Sequence, residues 1–174
     1  MPFWTDANFE IKRSFKWVVQ FGGNDSEGVI PSFVATKVNK PSISIGETEH
    51  NYLNHKFYYP GQVTWNDVSM TLVDPINPDA TRALLERLKL SGYHIPSSQN
   101  DRGTISKSNS VNAFNQIKIQ QLDASGNSKE DWVLWNAWLK DVKFGDLDYS
   151  SEEMVNIELT FKYDYAWIDG VAKK

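Results

Sequence analysis

The chain has 174 residues and a formal net charge of −4 at pH 7, with 18 lysines and arginines against 22 aspartates and glutamates. This length suits one domain with a sizeable core, and the mild acidity argues against a basic nucleic-acid-binding protein. The absence of cysteine excludes disulfides, thiolate metal sites and a cysteine nucleophile. Aromatic residues make up 13% of the chain, which favours a folded, strand-rich protein over a disordered one.

The N-terminal segment, residues 1–13, is predicted to be an extended arm. It carries two large apolar side chains, Trp4 and Phe9, which either pack on their own domain or dock on a neighbouring subunit. The segment from Met1 to Asp6 lacks a basic flank followed by an apolar stretch, so we expect no signal peptide. No apolar run in the chain approaches the ~18 residues that span a bilayer, so we expect no membrane partner.

Strand patterns begin at residues 14–21, where every second residue is apolar and aromatic residues dominate. This spacing predicts a half-buried strand. Further extended segments are predicted over 30–38 and from Pro41 to Ile45. The apolar residues of the first strand are Phe15, Trp17, Val19 and Phe21.

Residues 46–62 crowd histidines and aromatic residues into one short stretch without a regular alternation. One clean buried face is therefore not expected, and Pro60-Gly61 reads as a turn at the end of the segment. The pattern predicts an aromatic hairpin that projects from the domain. In residues 63–73 the apolar positions change parity near Asn66-Asp67, which indicates a bulge or a strand break.

One helix is predicted over 78–90. Asn77 is the expected N-cap and Pro78 the first helical residue, with Ser91-Gly92 as the stop. The predicted apolar stripe consists of Thr81, Leu84, Leu85 and Leu88, and a short helix with one such stripe is expected to cap a sheet.

Residues 96–113 contain few apolar side chains and predict a long polar loop, either a solvated insertion or a functional segment. Strand patterns return at 114–122, and Asp123 to Asn127 reads as a hairpin turn. The tryptophan-rich segment 131–144 is ambiguous between strand and helix. Residues 154–165 alternate cleanly, which predicts one long antiparallel strand with one wet face. Its apolar face is Val155, Ile157, Leu159, Phe161, Tyr163 and Tyr165.

Together these patterns predict a mainly β protein: a single domain over 1–174, folded as an antiparallel β-sandwich or small β-barrel with one packed α-helix and a long projecting hairpin.

Residues for chemistry are sparse. His50 and His55 are five residues apart, which in one strand places them on opposite faces, and His94 lies far away, so no metal site is expected. The sequence has no G-x-S-x-G elbow and no phosphate-binding loop. We therefore expect no catalytic residue, no cofactor and no enzymatic activity. Tyr52, Tyr58, Tyr59 and the tryptophan cluster leave open a sugar-stacking surface.

Several short segments follow one another in a recognisable order. They are FKWVVQF at 15–21, FVATK at 33–37, KPSIS at 40–44, NHKFYYPG at 54–61, VTWNDVSMTLVD at 63–74, PDAT at 78–81 and NAWLKDVKFGDLDY at 136–149, followed by the alternating segment. In this order the chain resembles the tail tube protein of T4-like contractile-tailed bacteriophages, in the superfamily that includes the tube component of type VI secretion systems.

The resemblance implies a structural protein that assembles with itself. Similar proteins form hexameric rings whose inner sheets join into a β-lined channel, and the rings stack into the hollow inner tube of a contractile tail. The implied partners are further copies of the chain, the tail sheath protein, baseplate and tail terminator proteins, and phage DNA that passes through the lumen during ejection. The implied location is the virion tail, after assembly in the cytoplasm of the host bacterium.

Two sets of site residues follow. The density of aromatic residues predicts contact between stacked subunits, and the wet face of the last strand is a candidate for the lumen. The candidates for subunit contact are Trp4, Phe9, Glu47, His50, Tyr52, Leu53, His55, Phe57, Tyr58 and Tyr59. The lumen candidates are Glu158 and Asp164, in a channel wall expected to be acidic or neutral so that it does not hold DNA.

Two alternatives stay open. A baseplate or tail-completion paralogue would share the fold, and a monomeric glycan-binding β-sandwich would share the strand patterns. Negative-stain microscopy and light scattering separate these hypotheses, because a tube protein forms large assemblies and a binding module stays monomeric.

Overall fold

A computed structural model describes residues 11–22, 30, 32–98 and 103–169. The candidates Trp4 and Phe9 and most of the predicted N-terminal arm lie outside the described residues.

The described chain contains antiparallel strands and two helices. The strands are β1 (Trp17–Phe21), β2 (Ala35–Val38), β3 (Ile43–Tyr52), β4 (His55–Trp65), β5 (Val68–Val73), β6 (Ile117–Leu122), β7 (Ser128–Trp135), β8 (Trp138–Lys143), β9 (Asn156–Lys162) and β10 (Tyr165–Ile168). The helices are α1 (Ala80–Leu90) and α2 (Lys107–Phe114), and a short 3-10 turn, Ser32–Val34, precedes β2.

The strands form two four-stranded sheets and one hairpin. The first sheet has the order β1-β6-β7-β10, the second sheet has the order β2-β5-β9-β8, and β3 pairs only with β4 in a separate two-stranded hairpin. All of these pairings are antiparallel. The prediction of a mainly β, antiparallel fold is confirmed, and both sheets are open rather than closed into a barrel.

The core lies between the two sheets and the helices. Inward residues of β5 pair with inward residues of β9, as Met70 does with Leu159, and both side chains are almost fully buried. The ring of Phe161 lies 5.3 Å from the ring of Phe114 on α2 and 6.3 Å from that of Phe21 on β1. One aromatic cluster therefore joins both sheets and a helix, and each such pair adds about 0.5–1.5 kcal/mol beyond its burial.

The alternation predicted over 154–165 is confirmed for Ile157 to Tyr163, whose odd-numbered side chains are buried. The prediction of a single long strand is wrong, however, because the chain bends at Asp164 and crosses to the other sheet as β10. At the bend the Asp164 N–H donates to the Trp135 carbonyl at 3.0 Å. Tyr165 is consequently 42% exposed rather than part of the buried face.

The first strand also starts later than predicted. Phe15 precedes β1 and is 73% exposed, whereas Val19 is fully buried. A period of two fits both residues, but only the strand proper has a neighbour that holds it against the core.

Helix α1 begins two residues after its predicted start. Asp79, with extended backbone angles, is the N-cap, and its carboxylate accepts from the Arg82 N–H at 2.8 Å. Asp74 supports the same turn by accepting from the Ala80 N–H at 3.1 Å and the Thr81 hydroxyl at 2.6 Å. Two carboxylates at the positive end of the helix dipole account for the later start.

The buried stripe of α1 differs from the predicted one. Leu84 is fully buried as predicted, but Leu85 is 43% exposed and Arg87 is only 5% exposed. The Arg87 guanidinium donates to the Ala113 carbonyl at 2.5 Å and lies 5.6 Å from the Phe114 ring. The long side chain thus ties α1 to the end of α2, a contact that hydrophobic periodicity does not reveal.

Helix α2 occupies the second half of the segment predicted as a polar loop. Its N-cap is Ser106, whose hydroxyl accepts from the Asn109 N–H at 3.2 Å. Ser110, Ala113 and Phe114 form its buried side. Because two of these three side chains are small, the apolar stripe is too weak to identify in the sequence, and the described part of the chain has two packed α-helices in place of the one predicted.

The ambiguous segment 131–144 is strand. It forms the end of β7 and all of β8, joined by a tight turn in which Asn136 has a φ of 52°. Asparagine tolerates this left-handed conformation better than most residues.

Candidate assembly surfaces

The hairpin of β3 and β4 is exposed on both faces. Every residue of β3 is exposed, and so is every residue of β4 except Trp65. Strands of 10 and 11 residues extend about 33 Å at ~3.3 Å per residue. A lone two-stranded hairpin is marginally stable in water, and this one presents large apolar side chains there. Their exposed fractions include 63% for Tyr52, 89% for Leu53, 48% for Phe57, 58% for Tyr58 and 57% for Tyr59.

The cross-strand register sorts these side chains into two faces. His50 pairs with Phe57, and Tyr52 pairs with His55. Directly paired residues share a face, so the two histidines lie on the same face of the hairpin. The prediction that they point to opposite faces is wrong, because a turn at Leu53 separates them and reverses the strand direction. This face also carries Tyr59, and the result is an aromatic and imidazole surface near the tip.

The other face carries the charged groups. Glu47 and Glu49 of β3 lie there with Tyr58 of β4, which pairs with Glu49. Lys56 forms an ion pair with Glu49 at 3.1 Å. The predicted contact residues from Glu47 to Tyr59 therefore cover both faces of one element.

A bulge lies in the lower half of the hairpin. The register shifts between Ile45 and Glu47, where Gly46 faces Gly61. A Cβ on Gly61 would lie 3.1 Å from the Gly46 carbonyl oxygen, so the two backbones approach closely and a side chain there would require them to shift by a few tenths of an ångström. Bulges increase the local twist, so the tip half is rotated relative to the root half.

Polar contacts hold the root of the hairpin on the body. The Asn66 N–H donates to the Ser42 carbonyl at 2.9 Å, closing the two strands at their base. The Asp67 carboxylate forms ion pairs with Lys140 at 2.6 Å and Lys162 at 2.8 Å, and these contacts lower the pKa of its carboxyl group. Burial, followed by the nearby Asp67 charge, raises the pKa of Tyr163 to about 12. The root is therefore fixed while the tip is solvated.

A second anchor lies on the first sheet. Glu130 accepts from Lys40 at 2.8 Å and from the Trp132 indole at 2.5 Å, and it also binds Lys12. Lys40 precedes β3 by three residues and additionally donates to Gln121 at 2.6 Å. Hydrogen bonds from Lys12 and then Lys40 lower the pKa of Glu130 to about 2. One carboxylate thus holds both the root of the hairpin and the end of the N-terminal arm.

The lumen candidates occupy different environments. Glu158 lies on the exposed face of the second sheet and forms an ion pair with Lys143 at 3.3 Å. Asp164 lies at the bend after β9, where Asn136 and Lys107 lower its pKa through hydrogen bonds of 2.7 and 2.9 Å. The structure does not bring the two carboxylates onto one strand face.

The aromatic residues considered for sugar stacking are also separated. Trp135 contacts Tyr165 and Trp167 with ring centroids 6.3 and 5.6 Å apart, at interplanar angles of 32° and 53°. Trp132 instead packs against the core. The described rings tilt against each other and do not form one flat platform.

Within the described ranges, no group of three or more histidines, aspartates and glutamates is placed to hold a metal ion. None of the described helices is long and apolar enough to cross a membrane.

Sequence reasoning missed two features of these surfaces. Glu130 lies in a strand that alternates poorly, and nothing in its local sequence indicates two lysines from distant segments. The loop 144–155 exposes Leu147, Tyr149 and Met154, of which Leu147 is 87% exposed. Isolated apolar residues in a polar loop were the only available signal.

Comparison with known proteins places the fold. No family model matches the chain, and no curated protein matches it. Among solved structures, the chain is similar to a chain of the PVC sheath/tube terminator in the extended state, from an extracellular contractile injection system. The TM-score is 0.66 at 17% sequence identity, and the match covers 95% of this chain and 100% of that chain. It is also similar to a chain of the six-fold symmetrised anti-feeding prophage (AFP) baseplate, with a TM-score of 0.65, 15% identity, and coverage of 94% and 98%.

A third similar chain belongs to the PVC sheath-tube complex in the extended state, with a TM-score of 0.64, 17% identity and coverage of 95% of both chains. The chain therefore has the fold of these contractile injection system proteins over nearly its whole length. The mainly β fold that the resemblance implies is therefore shared with these solved structures.

Proposed function

We propose that the chain is a structural, self-assembling tube protein of a contractile tail. Six copies form a ring, and rings stack into the hollow inner tube. The observation that carries this proposal is the hairpin, which is exposed on both faces over almost its whole length. A hairpin that is solvated on both sides buries its aromatic residues only against another molecule, and exposed apolar patches of this kind mark interaction sites.

The edges of the second sheet support ring closure. β2 and β8 are its two outer strands, and an outer strand presents backbone N–H and C=O groups that a further strand can pair with. Joining β8 of one copy to β2 of the next would extend the sheet around a closed ring, which leaves no edge. We therefore place the second sheet at the channel, in a single tail-tube-like domain.

The exposed face of this sheet would give the channel wall a mixed charge, with three lysines and two carboxylates, rather than the acidic or neutral charge expected from the sequence. Lys37, Lys143 and Lys162 lie on it with Asp141 and Glu158, as the strand register requires. Lys143 pairs with Glu158, and a lysine that is already paired binds a phosphate less strongly than a free one. We propose that Glu158 faces the lumen and lets DNA pass without stable binding. Asp164, which is bound to Lys107 and Asn136, is the weaker lumen candidate.

Microscopy of the purified protein tests the proposal. The wild-type chain should form rings or tubes with a central channel in negative stain. In the matched variant, Asn-Gly replaces residues 49–58. Thr48 and Tyr59 are paired across the hairpin, so a two-residue turn joins them without strain. The shortened protein should fold and remain a monomer or single ring. Tubes of unchanged length would contradict a role of the hairpin in stacking.

A baseplate or tail-completion paralogue is the second candidate, because one similar chain belongs to a baseplate structure and another to a sheath/tube terminator structure. Such a protein would form a single ring or a short stack, whereas a tube protein elongates with concentration. Either role would include the sheath and the terminator among its partners, in a virion tail assembled in the host cytoplasm.

A further inference from the structure

Two segments leave the body from opposite ends of strand β5. The hairpin enters β5 at Val68, which pairs with Phe161. At the other end, Val73 pairs with Asn156, the first residue of β9, and the loop 144–155 joins β8 to β9 there. Six residues of strand separate these ends by about 17 Å. The hairpin and the loop therefore lie at opposite poles of the body.

The loop 144–155 has a defined shape. Gly145 has a φ of 82°, and a Cβ there would lie 2.5 Å from the Asn156 carbonyl oxygen, so the loop starts in close contact with β9. The Asp148 carboxylate accepts from the Ser150 N–H at 2.8 Å and from its hydroxyl at 2.7 Å. The Asp74 N–H donates to the carbonyl of Val155 at 3.0 Å. Residues of the loop line a cleft of about 1170 Å³.

Apolar side chains surround this cleft on the solvent side. Leu147 is 87% exposed and Met154 is 69% exposed, while Tyr149 is fully exposed. All three line the cleft. Its size suits several side chains of the hairpin tip, where Leu53 is 89% exposed and Tyr52 is 63% exposed.

The polar groups of the two poles are complementary. The loop 144–155 contains four carboxylates and no lysine or arginine. The tip, residues 50–59, contains two histidines, two asparagines, three tyrosines and one lysine, and no carboxylate. Carboxylates only accept hydrogen bonds, and these tip groups can all donate. Two tips facing each other would bring Lys56 and the two histidines of each copy together without any carboxylate, so the carboxylate-bearing loop is the better partner for the tip.

We propose that the tip of the hairpin of one copy seats in the cleft of the loop 144–155 of a second copy, a contact that rests on the proposed tube function. The tip and the cleft are different surfaces at opposite poles, so the contact is head-to-tail. A head-to-tail contact leaves a free tip at one end and a free cleft at the other, and it propagates as an open stack.

Cysteine cross-linking tests this contact, because the chain has no cysteine of its own. The variants Leu53→Cys and Tyr149→Cys each change an exposed side chain, so both should fold. Co-assembled one to one and treated with a short bismaleimide, they should give a covalent dimer at least tenfold faster than either variant alone. Ile95→Cys, also on an exposed residue, replaces Tyr149→Cys in the control pair and should not react faster than background.

Blocking variants provide the second measurement. Leu53→Asp replaces the apolar side chain at the tip with a charged one. Leu147→Asp combined with Tyr149→Asp does the same to the apolar side chains of the cleft. Neither variant should elongate on its own. A mixture of the two should form one tip-to-cleft contact and then stop, and sedimentation detects this contact as a doubling of mass. Elongation by the cleft variant alone, or no joint in the mixture, would overturn the inference.

The outcomes separate this contact from the proposed function. Suppose that the wild-type protein forms tubes, but the Leu53→Cys variant cross-links with itself, or cross-links equally well with Ile95→Cys. This result overturns the inference and leaves the tube function standing. Wild-type protein that stays monomeric at all concentrations overturns both.

Discussion

Replacing Glu130 with glutamine tests whether one carboxylate stabilises the anchor shared by the hairpin and the N-terminal arm. The side chain is 12% exposed and holds lysines from two distant segments. The pKa of Glu130 falls from 4.5 to about 2, and a difference of one unit corresponds to ~1.36 kcal/mol. The ionised carboxylate of Glu130 can therefore contribute at most roughly 3 kcal/mol to the free energy of unfolding. Because Lys12 and Lys40 are 58% and 45% exposed, water screens both pairs, and we expect a loss of about 1–2 kcal/mol.

The sign of the pH dependence follows from the lowered pKa. The ionised carboxylate stabilises the folded state fully above pH 4.5, and this contribution is lost as the pH falls towards 2. The difference between the wild type and the Glu130→Gln variant should therefore be largest at pH 7 and shrink below pH 4.5.

Urea unfolding of the unassembled protein at pH 7, 5, 4 and 3 measures this difference. Glu158→Gln is the matched control, because Glu158 and its partner Lys143 are 63% and 68% exposed, and it should change stability by less than about 0.5 kcal/mol. A loss in Glu130→Gln that does not vary with pH, or that is no larger than the control at pH 7, would refute the reasoning.

Phe161→Ala should cost about 3–5 kcal/mol in urea unfolding, since the side chain is fully buried in the aromatic cluster; a larger effect from Glu158→Gln would mean that the faces of β9 are reversed. Arg87→Gln should cost about 1–3 kcal/mol, because it leaves a buried α2 carbonyl without its donor, and a change in the denaturation midpoint too small to measure would show that water replaces the guanidinium. Gly145→Ala should lower the melting temperature more than Gly126→Ala, since both have a positive φ but only Gly145 meets a β9 carbonyl; equal losses would contradict the close contact.

Local patterns in the sequence predicted many of the strands. The alternation from Ile157 to Phe161 predicted a half-buried strand, because a strand has a period of two wherever one face is solvated. The parity change at Asn66-Asp67 correctly marked the boundary between β4 and β5. The irregular crowding of aromatic residues over 46–62 predicted a projecting hairpin, since no single face of it could be buried. These features depend on neighbours within a few residues, and the sequence displays them directly.

Tertiary structure decided the rest. Arg87 is buried because two helices place a carbonyl and an aromatic ring beside it, and no local periodicity predicts an arginine there. The two histidines share a face because the turn at Leu53 reverses the chain between them. The binding of Lys12 and Lys40 by Glu130 joins segments about a hundred residues apart in sequence. The opposite placement of the hairpin and the loop 144–155 follows from strand register, which only the pairing of β5 with β9 establishes.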